Sequence, residues 1–178
     1  MSEAELIEGC VNNDKLCQRA LFERMKGKMF SVCMRYANSR MAAEDILQEG
    51  FIKVFKSLPS FRFQGSFEGW VRRIIINTAL SNYRFAASQF EMSMPEQTPE
   101  NSVGASIVDR LNEEEILKLI DSLPAGYKLV FNLYVIEGYS HKEIAEMLKI
   151  NEGTSRSQFA KARIALQQKL KNLEIQVA

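Results

Sequence analysis

The chain has 178 residues, of which 46% are hydrophobic, and a formal net charge of +1. That length holds one large domain or two small ones, and the near-neutral total gives no overall signature of a nucleic-acid partner. The acidic start MSEAELIEGC is unlike a secretory signal, and the longest apolar run, near IIIN, is far too short to span a bilayer, so no membrane insertion is expected.

Helical spacing of apolar residues predicts helices at 2–11, 14–38, 42–57, 66–87, 112–122, 125–136, 140–148 and 151–172, with no sustained strand alternation. The expected class is all-α. Cys10, Cys17 and Cys33 are odd in number and form no C-x-x-C pair. Free thiols in a reducing cytosol are therefore expected, with no disulfide framework, metal or cofactor.

On the helix at 42–57, Ile46, Leu47, Phe51, Val54, Phe55 and Leu58 make one apolar side, and Asp45, Gln48, Glu49 and Ile52 border another. Asp45 and Glu49 stand four apart. Metal ligands, a solvated face and a docking surface for a basic partner all fit this spacing; with no histidine nearby, the solvated face is the simplest. Gly50 is unusual in mid-helix, where glycine costs about 1 kcal/mol relative to alanine.

The segment SFRFQGSFEGWVRRIIINTALSNYR, Ser60 to Arg84, opens with a tight loop, and Ser66 can cap the helix that follows. On that helix Trp70, Arg73, Asn77, Ser81 and Arg84 share a face, while Val71, Ile75 and Thr78 point the opposite way. An aromatic ring, an amide and guanidinium groups together suit single-stranded nucleic acid, which offers base faces to stack and edges to bond. Trp70 as a simple core residue is the other reading.

Ser88 to Ser106 holds two prolines, a glycine and polar fillers. Such a composition buries too little apolar surface to offset chain entropy, and a linker is expected. Charge is also segregated: residues 1–84 carry +4, residues 85–110 carry −3 and residues 111–178 carry 0. Inside the last block, 149–171 has six basic residues against Glu152 alone, a local +5.

That basic stretch lies in a helix-turn-helix pattern. Ser140 and Glu143 form a capping box, KIN makes the turn, and Asn151 can cap the second helix. Phe159, Ala162, Leu166 and Leu170 fall on one inward stripe, and Arg156, Ser157, Ala160 and Lys161 on the free side. A helix entering the major groove presents its N-terminal half to base edges. Arginine reads guanine in bidentate fashion, serine donates or accepts, and alanine allows close approach. Lys161, Arg163 and Lys169 suit phosphates. A solvated basic face on an ordinary helix pair is the plainer alternative.

Together these segments resemble the extracytoplasmic-function (ECF) subfamily of bacterial RNA polymerase sigma factors. AEDILQEGFIKVF is similar to region 2.2, FEGWVRRIIINTALSNYR to regions 2.3 and 2.4, and LPAGYKLVFNLYVIEGYSHKEIAEMLKINEGTSRSQFAKAR to region 4. The resemblance covers nearly the whole chain. It implies region 2 at 1–87, a linker at 88–110 and region 4 at 111–178. It casts Asp45, Gln48, Glu49 and Phe51 as contacts to core RNA polymerase, overturning the solvated-face reading. It also implies capture of a flipped non-template base of the −10 element by the loop Phe61 to Ser66. Phe61, Arg62, Phe63 and Gln64 lie in that loop, with Trp70 beside it, Asn77 at the base-contacting position, and Arg72, Arg73 and Arg84 on the backbone. Region 4 binds the −35 duplex, which assigns that role to Arg156, Ser157, Ala160 and Lys161, with Arg163 on phosphates. Promoter DNA and core polymerase are the implied partners, together with an anti-sigma factor of the kind that commonly holds the family inactive. No small-molecule substrate is expected.

The chain departs from the family after EGT, where an apolar residue, a basic residue, serine, arginine and an aliphatic are usual. Here Ser155 replaces the apolar residue, Gln158 the arginine, and Ala160 stands where a large group often follows. These three positions are where a distinct −35 preference is expected. Two rival functions fit parts of the sequence. A polymerase-independent helix-turn-helix regulator accounts for the C-terminal half alone. An enzyme finds support only in HKE at His141 to Glu143, the H-x-E of zinc deaminases, without their P-C-x-x-C; no enzyme is expected.

Overall fold

The computed structural model describes residues 2–87 and 113–177, with side chains at 2–81 and 114–173. The described residues build helices and no strand, and the chain divides into two compact units, Met1–Glu91 and Met92–Ala178. The expected linker at 88–110 and the side chain of Arg84 lie outside the described residues.

The first unit comprises α1 (Glu3–Val11), α2 (Lys15–Tyr36), α3 (Arg40–Ser57), a 3₁₀ turn (Leu58–Ser60) and α4 (Phe67–Ala87). Short polar residues start the first three. Ser2 and Glu5 form a reciprocal capping box on α1, Asp14 accepts from the Leu16 amide at 2.8 Å, and Ser39 accepts from the Ala42 amide at 3.1 Å. These bonds satisfy donors that the first helical turn leaves open. Pro59 in the 3₁₀ turn cannot continue α3. Helices α2, α3 and α4 pack pairwise around Leu21, Met29, Val32, Val54, Leu58, Val71, Ile75, Ile76 and Leu80, all essentially without solvent exposure.

Gly50 has a packing reason. A Cβ at this position would lie 2.4 Å from Ile75 Cδ1 and 3.6 Å from Ile75 Cα, so α3 and α4 approach closely there. The three cysteines are buried free thiols. Burial pushes the Cys10 thiol up to about 11 and the Cys33 thiol up to about 12, which leaves both protonated and unreactive at neutral pH.

The second unit comprises α5 (Glu113–Asp121), α6 (Ala125–Phe131), a π-helical turn (Asn132–Ile136), α7 (His141–Leu148) and α8 (Glu152–Val177). Its core holds Leu129, Val130, Leu133, Ile144, Ala145 and Ala162. The expected helix at 125–136 is thus α-helical for its first half only; the Glu137 amide reaches back to the Asn132 carbonyl at 3.0 Å, the five-residue step of a π turn.

Candidate nucleic-acid and polymerase interfaces

Among the exposed residues of α3, which also include Arg40, Glu44 and Lys56, Met41, Asp45, Gln48 and Ile52 follow one another in steps of four, three and four along one helix face. Met41 is 72% exposed and Ile52 55%, so two large apolar groups flank the acidic and amide groups. Glu49 is half-buried and pairs with Lys53 at 2.7 Å. Phe51 corrects the expectation of a core-polymerase contact: it is 2% exposed and packs edge-on against Phe22 with ring centroids 4.8 Å apart. It supports this face from inside. The sequence places Ile52 on this side but gives neither it nor Met41 a role, because isolated exposed apolar residues on a polar side are ordinary; their shared face is what makes them notable.

The loop before α4 is an aromatic cluster. Phe61 lies 5.2 Å from Trp70, 5.1 Å from Phe67 and 5.0 Å from Phe63, centroid to centroid. Phe67 is buried, Phe61 and Trp70 are half-buried, and Phe63 is 62% exposed. Trp70 packs on Phe61 and Phe67 while keeping some surface, so it is more than a simple core residue. Phe63 has φ +55°, a left-handed backbone that a bulky residue rarely adopts, and Gly65 follows at φ +96°. Such strain collects at ligand-binding positions. Ser66 Oγ accepts from the Gly69 amide at 3.3 Å, starting α4, and Lys28 bonds Glu68 at 2.7 Å, tying that first turn to α2. Arg62, Gln64, Arg73 and Asn77 are exposed and Arg72 is half-buried, while Val71, Ile75 and Thr78 are fully buried on the opposite side of α4.

In the second unit Ser140 Oγ accepts from the Glu143 amide and the Glu143 carboxylate accepts from the Ser140 amide, closing the expected capping box of α7. Helix α7 ends on Lys149 at φ +55°, a left-handed cap, and the Ile150 amide returns to the Ala145 carbonyl at 3.0 Å. This geometry turns the chain sharply into α8. Arg156, Ser157, Ala160 and Arg163 are exposed and Lys161 is half-buried. Arg156 pairs with Glu152 one turn earlier.

Two of the three family departures point inward. Ser155 is fully buried, and its hydroxyl lies 2.9 Å from His141 Nδ1. Gln158 is half-buried against α6, where a Cβ on Gly126 would lie 3.2 Å from its Oε1. Neither side chain is placed to read bases, and of the three only Ala160 is on the exposed face. The His141 ring also stacks on Tyr134 at 4.3 Å and 11° between planes, with Phe159 5.7 Å away. Burial holds the His141 pKa below its ordinary 6.5; the Arg156 cation pushes it the same way and Glu152 opposes. The unfolded chain therefore takes up this proton before the native one does. Stability contributed by neutral His141 is present above pH 6.5 and is lost as pH falls through the lowered folded value. An NMR titration of this imidazole, the sole histidine of the chain, is expected to show a midpoint below 6.5.

Comparison with known proteins completes the assignment. Residues 21–89 match sigma-70 region 2 and residues 113–166 match sigma-70 region 4. An ECF RNA polymerase sigma-E factor of Haemophilus influenzae is 30% identical over 190 residues, covering 97% of both chains. The sigma-E factor of Escherichia coli K12 is 29% identical over 187 residues, covering 97% of this chain and 96% of its own. The solved sigma factor RpoE of Bartonella quintana, bound to the anti-sigma factor NepR, shares the fold, with a TM-score of 0.54 and 19% identity over 86% of this chain and 96% of its own. A two-unit, all-helical protein with matches to both sigma regions is a transcription initiation factor. The chain belongs to the ECF family of RNA polymerase sigma factors. A polymerase-independent regulator would leave the region 2 match without a role.

Proposed function

We propose that the two units divide promoter recognition between them. The α3 face of Met41, Asp45, Gln48 and Ile52, with Glu49 at its border, docks on core polymerase: acidic groups choose a basic partner and the two apolar groups gain by leaving water. The loop Phe61 to Ser66 and the Trp70–Arg73–Asn77 face of α4 take up the opened −10 strand, with Arg72 and Arg73 toward its backbone and Arg84 assigned the same role by its sequence position alone. Helix α8 reads the −35 duplex through Arg156, Ser157 and Ala160, with Lys161 and Arg163 on phosphates. The bond-forming site belongs to the polymerase, so this chain catalyses no reaction itself, and its place of work is the cytoplasm. The region boundaries at 87 and 111 follow from the same assignment. An anti-sigma factor completes the partner set, since the Bartonella neighbour was solved with one.

The observation that carries the −10 reading is Phe63, held at positive φ and 62% exposed, its ring against Phe61, which in turn packs on Phe67 and Trp70. A base leaving the duplex loses stacking worth a few kcal/mol, and an exposed ring set on a rigid aromatic floor replaces it. Asn77 supplies the hydrogen-bonding edge. Asn77→Ala is expected to slow strand opening about tenfold, the equivalent of one good hydrogen bond, while closed-complex binding stays near wild type. Permanganate footprinting of unpaired thymines measures the bubble; a normal bubble with the variant removes Asn77 from the assignment.

A further inference from the structure

The contact between His141 and Ser155 belongs to neither DNA-facing surface, yet it joins the first turn of α7 to the first turn of α8. We propose that these two residues form a polar joint that sets how α8 presents Arg156 and Ser157 to duplex DNA, making them positioning residues for sequence-selective −35 recognition. The inference rests on the −35 reading given above.

The geometry carries it. Ser155 is fully buried, so its hydroxyl has left water and needs a partner inside the protein. The His141 imidazole supplies one at 2.9 Å. The ring is itself held in place: Tyr134 stacks on it at 4.3 Å from the π turn, and Phe159 of α8 closes in at 5.7 Å. Ser155 immediately precedes Arg156 and Ser157, so a small rotation of α8 that broke this bond would carry both exposed side chains with it. An apolar residue at this position packs equally well but has no preferred direction, whereas a hydrogen bond weakens steeply when its angle changes. The joint thus exchanges tolerance for orientation at the start of the reading helix.

Two measurements on the full-length chain and its holoenzyme decide it. Long-range proton–nitrogen NMR of the single imidazole is expected to show the Nδ1 resonance shifting between the wild type and Ser155→Ala, with Nε2 moving less. An Nδ1 resonance unchanged by Ser155→Ala would overturn the joint. The second measurement is the affinity ratio between a duplex carrying the −35 element of a mapped promoter and a scrambled duplex of the same composition. Ser155→Val, which restores apolar packing, and His141→Leu are each expected to lower this ratio about fivefold, the size of one hydrogen bond. The double variant should fall no further, because both remove the same contact. His141→Asn, which keeps a polar group near the Nδ1 position, should recover part of the loss. Equal weakening on both duplexes would indicate a merely structural role and overturn positioning. A normal wild-type ratio that neither single variant lowers overturns the joint alone; a wild-type ratio of one overturns the −35 reading and the joint with it.

Discussion

Ile75→Ala is expected to destabilise the first unit by about 2–5 kcal/mol, the usual range for truncating a fully buried isoleucine. Ile75 has no solvent exposure and meets α3 where Gly50 removes the side chain between the two helices. The loss can be followed without a label, because Trp70 is the only tryptophan of the chain and lies on the same helix, α4. The urea midpoint of its fluorescence should fall by about 1 M or more. A companion substitution tests the cause. Alone, Gly50→Ala sets about 1 kcal/mol of gained helix propensity against the displacement of Ile75 Cδ1, which its new methyl would approach to 2.4 Å. Once Ile75 is truncated, that methyl has room and fills part of the cavity. The double variant should therefore be more stable than Ile75→Ala alone. Additive effects would show that the close approach is not what selects glycine.

Gly50 also shows where the sequence stops being readable. Its cost to helix formation is visible in one dimension, but the contact that explains it comes from a distant segment. The apolar sides of α3 and α4 were legible because large residues recur at helical spacing, and burial follows spacing. Phe51 marks the limit of resemblance: a role carried over by position takes no account of which way the side chain points, although the apolar stripe that already contained Phe51 predicted its burial. Ser155 is a similar case. Extending the inward stripe of Phe159 and Ala162 back by four residues lands on Ser155, so its inward position was available from periodicity. Its being polar drew it toward the DNA-facing set instead. What no pattern supplied was its partner, because His141 comes close only after the left-handed cap at Lys149 turns the chain. The aromatic loop was legible as a segment, while the positive φ of Phe63 was not, since no local rule places a phenylalanine there.

Arg156→Ala is expected to weaken −35 binding by about 1–3 kcal/mol on the preferred sequence, the value of one bidentate arginine–base pair. Two arrangements suit Arg156 to the proposed reading of bases. It is exposed in the first turns of α8, the part of a recognition helix that reaches base edges. Its guanidinium also pairs with Glu152 one turn back, which keeps it near the start of the helix until DNA competes for it. The pair itself adds only about 0.3–0.5 kcal/mol as an exposed bridge, so DNA can draw the arginine away at small cost. Glu152 has a second effect, because its carboxylate opposes phosphate and limits how strongly Arg156 attracts DNA of any sequence. A panel of duplexes varied one base pair at a time, titrated at several salt concentrations, separates the contributions. Loss of Arg156 should flatten the preference at one base pair and leave binding to the other variants comparatively unchanged. Arg163→Ala, further along the exposed side, should instead weaken all duplexes alike and reduce the salt slope by about one. If Arg156→Ala gives the uniform pattern as well, its contact is to phosphate, and base selection by α8 rests on Ser157 and on the close approach that Ala160 allows.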